Sequence, residues 1–442
     1  MRRVALFLVF LCLLITATPR WSCAQAAANN ILLLILDDVG VEAVPFYPLR
    51  PGIVRTNPPP PPMPNLAALA GKGVIFTSVW ANPLCAPSRA TIFTGRYGFR
   101  TGMGNNPNSS GVPELARSEV ILPEPFVARP GLGYVLGAVG KWHVSDGLSD
   151  PNLYGWPYYA GILPGRAGLE LYNSWRKDVN GTVTRSKVYA TTDQINEAIK
   201  LINTAAGKHY FVQVAFNAPH NPYHVPPLDL HSRDSLPPFK KGMASRPYFE
   251  AAVEALDTEI GRLLRNVNLA DTTVIVMGDN GTAQGNLVPP FISTRGKGTL
   301  YEPGIRVPLV IAGAGVTAPG RTVNGVVNSV DIFPTVLELA GIPVPTDTKL
   351  DGISLGAYLR NGSGPKRQWA YSEFFSSAKS YTRAIRNGRY KLIKAASGFR
   401  QLFDLTADPL EARNLLNGSL TATQRTNLNQ LNTQLNALLA SR

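Results

Sequence analysis

Cysteine is scarce in this chain. There are three in 442 residues, with Cys12 inside an N-terminal apolar leader, Cys23 at its end, and Cys85 alone beyond it. No intrachain disulfide framework is open to such a protein, so its stability has to come from a buried core. Charge is thin as well. Asp, Glu, Lys and Arg make up 16% of the residues, with no run of Lys or Arg and no recognised nucleic-acid motif, despite a formal net charge of +14. The basic balance is therefore not a nucleic-acid footprint. Past the leader, no apolar stretch reaches spanning length without charges, Gly or Pro, which argues against a transmembrane segment there. Internal repeats are also missing, which excludes a repeat architecture.

What is present begins with Met1-Arg2-Arg3 and the apolar run Val4 to Thr16, the pattern of a signal peptide. Small residues at Ser22-Cys23-Ala24 and Ala24-Gln25-Ala26 offer cleavage sites, and the residues before Cys23 do not make a lipoprotein site. The expectation is a signal peptide over 1–26, a mature chain from near Ala27, and a secreted or periplasmic product. Removing Arg2, Arg3 and Arg20 takes the net charge from +14 to +11. A diffuse positive surface of that kind steers anionic substrates, with drift in isoelectric point as the equally weighted alternative. About 415 residues, 45% of the whole chain being hydrophobic, suffice for one large domain with a smaller appendage. The boundary is expected at Asn361-Gly362-Ser363-Gly364-Pro365, giving a large domain over 27–365 and a small C-terminal domain over 366–442.

Ile31 to Leu36 is a continuous apolar run ending in Asp37-Asp38, which reads as a strand buried on both faces of a parallel α/β sheet. Two acids at its carboxyl edge stand where open α/β sheets place ligands. Thr272 to Gly278 ends in Asp279-Asn280 and repeats that logic. Two such strand ends bearing oxygen ligands suggest a hard divalent cation, Ca²⁺ or Mg²⁺, between them. A helix is expected from Pro64, a strand over 74–79, a helix over 190–204, a strand over 210–216 and a helix over 247–264. The short strand ending in Gly140-Lys141-Trp142-His143 is expected to put Lys141 and His143 on one face. His220 and His224 are at helical spacing, but Pro219, Pro222, Pro226 and Pro227 exclude a helix, so one of them is better read as a catalytic group. Lys297, flanked by glycines, can bring an ammonium close to an anion. Residues 145–185 lack periodicity and read as a surface excursion. In the C-terminal part, 369–373, 382–386 and 390–394 alternate like antiparallel strands, and Leu428, Leu431, Leu435 and Leu438 mark a closing helix.

Cys85 lies in Cys85-Ala86-Pro87-Ser88-Arg89, followed by Thr94-Gly95-Arg96. Pro87 fixes φ, and Ser88 is placed to cap a helix starting near Arg89, with the thiol at the helix N-terminus. The pattern C-x-P-S-R followed by T-G-R resembles the signature of the type I, formylglycine-dependent sulfatases. Further blocks in the order of that family are Asp37-Asp38, Gly140-Lys141-Trp142-His143, Pro219-His220, Gly278-Asp279-Asn280-Gly281, Lys297 to Pro308 and Leu402 to Leu415.

The resemblance implies an alkaline-phosphatase-like α/β fold, a large mixed sheet flanked by helices with a small C-terminal α+β domain. It implies a sulfuric ester hydrolase acting on an aryl or carbohydrate sulfate, with Cys85 oxidised to formylglycine by a formylglycine-generating enzyme. One Ca²⁺ would be held by Asp37, Asp38, Asp279, Asn280 and the modified Cys85. Arg89 and Lys141 would neutralise the nucleophile, His143 would hydrogen-bond one of its hydroxyls, His220 would protonate the leaving oxygen, and Lys297 would clamp the sulfate. The family often adds a Ser or another polar group beyond the Lys-x-His block, and no counterpart is placed here. Two other readings stay open on the residues: a phosphoesterase or phosphonate monoester hydrolase of the same superfamily, and a secreted anion-binding protein that has lost the chemistry.

Overall fold

The computed structural model describes residues 29–441 apart from 56, 108–110, 165, 167–168 and 362–366. The expected signal peptide, Cys12, Cys23 and most of the expected domain boundary lie outside the described residues.

Ten strands form one mixed sheet. They are β1 (Asn30–Leu36), β2 (Gly73–Trp80), β3 (Val135–Gly140), β4 (Tyr159–Ile162), β5 (Trp175–Val179), β6 (Thr182–Ser186), β7 (Tyr210–Ala215), β8 (Thr272–Gly278), β9 (Leu309–Gly313) and β10 (Arg321–Asn328). Their order is β10-β2-β9-β8-β1-β7-β3-β4-β5-β6. The central block β8-β1-β7-β3-β4 is parallel, and the antiparallel pairs lie on either side of it. β1 shows why its sequence is apolar throughout. Ile31, Leu33 and Ile35 face one core layer while Leu32, Leu34 and Leu36 face the other, and all six are sealed from solvent.

The first layer is closed by α2 (Cys85–Thr94) and the helix Ile332–Leu339. The second is closed by α1 (Pro64–Gly71) and the helices Ala190–Thr204 and Arg246–Leu264. In the last of these, Phe249, Val253, Leu256, Ile260 and Leu263 recur at helical spacing and are fully buried, the stripe expected of a helix lying on a sheet.

Four further strands, β11 (Ala370–Ser377), β12 (Ser380–Arg386), β13 (Tyr390–Ala395) and β14 (Arg400–Asp404), make an antiparallel meander. The helix Ala422–Ala440 covers it through Leu431, Leu435 and Leu438, with Thr421 and Gln424 forming a capping box at its start. The large mixed sheet with helices on both faces and the small C-terminal α+β unit agree with the expected fold class. The two sheets share a packed layer, because Trp80, Leu300 and Ile305 meet Ala370, Ala384, Ile393 and Phe403 in one cluster. Among the described residues, no helix is long and apolar enough to cross a membrane.

Three local expectations are corrected. The stretch 145–185 is not a surface excursion, since it supplies β4, β5 and β6 and buries Trp156, Tyr159, Tyr172 and Trp175. Its strands are four or five residues long and broken by turns, too short for a visible period. α2 starts at Cys85 itself, with no side-chain cap, and Ser88 lies inside it, its hydroxyl bonded to the backbone N–H and carbonyl of Asn82. Pro87 is tolerated because the first turn of a helix leaves its N–H groups without intrahelical partners. β3 stops at Gly140, so Lys141 and His143 sit in the turn beyond it, and strand alternation does not set their directions.

Candidate active site

Strand register brings the acids together. Leu36 on β1 pairs with Gly278 on β8, and Asp279 N–H donates to Leu36 O at 3.0 Å, so Asp37 and Asp279 leave the sheet side by side. Asp38 turns through a left-handed backbone with φ of 62°, a conformation that Asp tolerates better than most residues, and its N–H donates to Asp279 Oδ1 at 3.2 Å. On the other side of β1, Gly140 pairs with Ala215. Its φ of +94° and the Ala215 carbonyl, 2.1 Å from where a Cβ would stand, demand glycine as the chain leaves β3 for Lys141. Trp142 then stacks on Phe93 of α2, with centroids 5.5 Å apart, and donates from Nε1 to Ser145 Oγ at 2.7 Å. That packing holds the Lys141 to His143 turn beside Cys85.

The ionic pattern around the thiol is dense and buried. Cys85 Sγ lies 3.4 Å from Asp37 Oδ1 and 3.9 Å from Asp38 Oδ1. Arg89, one helical turn on, donates to Asp279 Oδ2 from Nε at 3.2 Å and from the guanidinium terminus at 2.9 Å, and to Lys141 O at 2.8 Å. Lys141 Nζ is 2.5 Å from Asp37 Oδ2, and Lys297 Nζ is 2.6 Å from Asp38 Oδ1. Asn280 donates from Nδ2 to Asp38 Oδ1 at 2.8 Å. All ten of the expected site residues belong to this one neighbourhood. Asp37, Asp38, Cys85 and Asp279 bring one ligand atom each within 4.8 Å of one another, as do Asp38, Cys85 and His220.

Burial and charge set the protonation pattern. Burial raises the Cys85 thiol to about 12, with the Asp37 carboxylate adding to the effect. Burial would also raise Asp38, but Lys297, His220 and Lys141 outweigh it and hold that carboxyl below its usual range. Asp279 is raised to about 6 by burial and by Asp37, against the pull of Arg89. His143 is pushed well down by burial and by Lys141 and Arg89, and its Nδ1 is buried with no partner. His220 is lowered to about 4 by burial and then by Lys141. Its Nδ1 lies 2.8 Å from Asn221 O, a contact that assigns the proton to Nδ1 and leaves Nε2 free, since a carbonyl can only accept.

The residues fit a hard cation. Among the described residues, Asn280 Oδ1 is buried without a partner, inside a set of carboxylates, the donor chemistry that suits Ca²⁺. One positioning group had no signal in the sequence. Tyr172, from the aperiodic stretch, donates its hydroxyl to Asn217 O at 2.6 Å and His220 O at 2.7 Å, so it braces the His220 loop. His224 stands away from the acids, stacked on Tyr172 with Nε2 3.1 Å from the Tyr189 hydroxyl.

Residues 29–342 match the sulfatase family, and residues 295–440 match the C-terminal region of N-sulphoglucosamine sulphohydrolase. The chain belongs to the sulfatase family. The chain is 30% identical over 364 residues to N-acetylgalactosamine-6-sulfatase of Sus scrofa, covering 74% of this chain and 65% of that protein. The Homo sapiens protein of the same name is 30% identical over 375 residues, covering 75% and 66%. Arylsulfatase A of Homo sapiens is 28% identical over 466 residues, covering 90% of this chain and 86% of that protein. The chain thus spans slightly less than two thirds of these two N-acetylgalactosamine-6-sulfatases. Among solved structures, Ps i-CgsB in complex with k-i-k-neocarrahexaose has a TM-score of 0.78 at 24% identity, over 93% of both chains. A protein in complex with its substrate D-glucosamine-2-N,6-O-disulfate has a TM-score of 0.75 at 22% identity, over 94% of this chain and 99% of that one. These likenesses establish the fold.

Proposed function

We propose that this chain is a sulfuric ester hydrolase acting on a sulfate monoester of an alcohol, with Cys85 carried as formylglycine and one Ca²⁺ beside it. The observation that carries the reading is the convergence on Cys85 of three carboxyl groups, one guanidinium and two lysine side chains, and an unpartnered Asn280 oxygen. Asp37, Asp38 and Asp279 formally cancel Arg89, Lys141 and Lys297, so a bound dication leaves the site net positive toward an anionic ester. Asp37, Asp38, Asp279, Asn280 Oδ1 and residue 85 would hold the ion. When bound there, Ca²⁺ would supply a Lewis-acid charge toward the sulfate oxygens. As formylglycine, residue 85 supplies a hydrated aldehyde with one hydroxyl to attack sulfur and a second whose deprotonation later releases sulfate.

The chain's own groups do the rest. Arg89 holds Asp279 and the Lys141 carbonyl in fixed positions, so the strand-end acids are set before substrate arrives. Lys141 and Lys297 offer remaining ammonium protons to the nucleophile and the sulfate oxygens. The unpartnered Nδ1 of His143 is available to a hydroxyl at residue 85. His220 delivers a proton from Nε2 to the leaving oxygen, and the anionic ester beside the ring favours its protonated form. The names of the relatives support a sulfated substrate, and the domain division at 365/366 is proposed with this reading. Maturation calls for a formylglycine-generating enzyme, and the basic N-terminal leader supports export.

Parallel assays on 4-nitrophenyl sulfate and 4-nitrophenyl phosphate test the reading. Sulfate is expected to be turned over best. A large kcat/KM preference for phosphate makes the protein a phosphoesterase instead, and no turnover of either leaves an anion-binding protein.

A further inference from the structure

We propose that the alcohol released by this site is an uncharged, hydrophobic, ring-bearing one, a phenol or polycyclic alcohol, seated in the cavity beside His220. The proposal rests on the sulfate ester hydrolysis inferred above. The cavity has a volume of about 650 Å³, within the usual range for small-molecule pockets, and its wall includes Tyr172, Tyr189, Pro222, Tyr223, Leu228 and Phe239. It is continuous with the loop that carries the proposed acid. Tyr172 holds the His220 carbonyl, and Pro222 and Tyr223 follow His220 by two and three residues. Asp38 and Lys297 both act on the Tyr223 phenol, which places this wall within electrostatic reach of the ion cluster. An ester whose sulfate sits on that cluster, with its bridging oxygen at His220, has this cavity beside it for its carbon skeleton.

The chemistry of the wall selects the skeleton. Among the described residues, no Lys, Arg, Asp or Glu lines the cavity, so a glycan carrying further sulfates finds no cation there. Apart from Asn173, the polar side chains of the wall are already engaged. The Tyr172 hydroxyl is bonded to two carbonyls, the Tyr189 hydroxyl lies 3.1 Å from His224 Nε2, and His224 Nδ1 lies 2.9 Å from Pro222 O. The Tyr223 hydroxyl accepts from Asn286 Nδ2 at 2.9 Å. Sugar hydroxyls would leave water with little in exchange, and unpaired polar groups in a pocket are costly. What the wall does offer is aromatic faces and aliphatic surface. Tyr223 and Phe239 pack edge to face at 5.6 Å, and Leu171 and Leu228 stand 55% and 62% exposed at the cavity. Exposed aliphatic side chains beside aromatic rings gain from covering by an apolar ring system.

The test compares kcat/KM for 4-nitrophenyl sulfate, 4-methylumbelliferyl sulfate and N-acetylglucosamine 6-sulfate on the mature protein. The two-ring ester is expected to exceed the one-ring ester, whose phenol is a similarly good leaving group, by about tenfold, the effect of little more than one well-buried apolar group. Leu228→Asp, at an exposed position that leaves folding intact, is expected to lower the two-ring ester about tenfold and the one-ring ester less. A sugar ester preferred over both aryl esters, or a Leu228→Asp variant with unaltered selectivity, overturns the proposal. A second arm needs no catalysis: calorimetric titration with 2-naphthol is expected to show saturable binding that Leu228→Asp weakens. Naphthol binding with no ester turned over would sink the hydrolysis reading and still support the cavity's preference, whereas absent naphthol binding overturns the proposal itself.

Discussion

Asn280 donates from Nδ2 to Asp38 Oδ1 at 2.8 Å and keeps its own Oδ1 buried without a partner. The arrangement is self-consistent, because turning the amide over would set two oxygens against each other. A cation resolves the orphaned oxygen and the crowding of Asp37, Asp38 and Asp279 together. Asn280→Ala is therefore expected to weaken Ca²⁺ binding at least about tenfold, read by calorimetric titration of chelator-stripped protein, with activity falling in parallel. Unchanged affinity would remove Asn280 from the ligand set.

Cys85 occupies the first residue of α2, sealed from solvent and raised to about 12 by burial and by Asp37. As a thiol it stays protonated at neutral pH and makes a poor nucleophile. Active protein should accordingly carry the peptide containing Cys85 with an aldehyde oxygen in place of SH and one hydrogen. Cys85→Ala is expected to abolish turnover with the fold retained by circular dichroism, and Cys85→Ser to stall after one transfer. Full turnover by Cys85→Ala, or an active enzyme with only the free thiol, would end the formylglycine reading.

Much of this site was legible because its residues sit at sheet edges or within short blocks. Asp37 and Asp279 follow apolar runs whose pairing, Leu36 with Gly278, brings the acids together, and an apolar run announces itself in sequence. Lys141 and His143 were found, but for the wrong local reason. Gly140 ends β3, and it is the stacking of Trp142 on Phe93 that brings the turn to Cys85, a contact between residues about fifty positions apart. Tyr172 was invisible because its role is to bond the carbonyls of Asn217 and His220, and a tyrosine among short strands carries no mark of that. β10 carries little strand signal because its apolar positions lose register at a bulge between Val323 and Val326, which breaks the period of two.

His220 keeps Nε2 free because Nδ1 is engaged by Asn221 O at 2.8 Å. If it protonates the leaving oxygen, its loss should matter in proportion to the basicity of that oxygen. His220→Ala is expected to lower kcat for an alkyl sulfate by about 10²- to 10⁴-fold and to cost 4-nitrophenyl sulfate, whose leaving group needs no proton, far less. Equal losses on both esters would assign His220 to binding.

The last prediction concerns the joint between the two sheets. Lys391 of β13 lies 2.8 Å from Glu411 and 3.5 Å from Glu302, with its ammonium 4.9 Å from the Trp80 ring centre, and both Lys391 and Glu411 are sealed from water. Glu411 also accepts the Glu302 N–H at 2.6 Å, and Arg295 donates to Leu410 and Glu411 carbonyls at 3.2 and 2.6 Å. The loop bearing Lys297 is thus bracketed by contacts to the C-terminal unit at Arg295 and Glu302. Lys391→Met strands the Glu411 carboxylate in a dry site and should cost about 3–5 kcal/mol, read from the urea midpoint with the slope unchanged. Adding Glu411→Gln removes the stranded charge and should recover much of that loss, because the pair's worth lies mainly in mutual compensation. If the double variant is as unstable as the sum of the two single ones, the residues are uncoupled and the contacts at Glu302 do not depend on their charge.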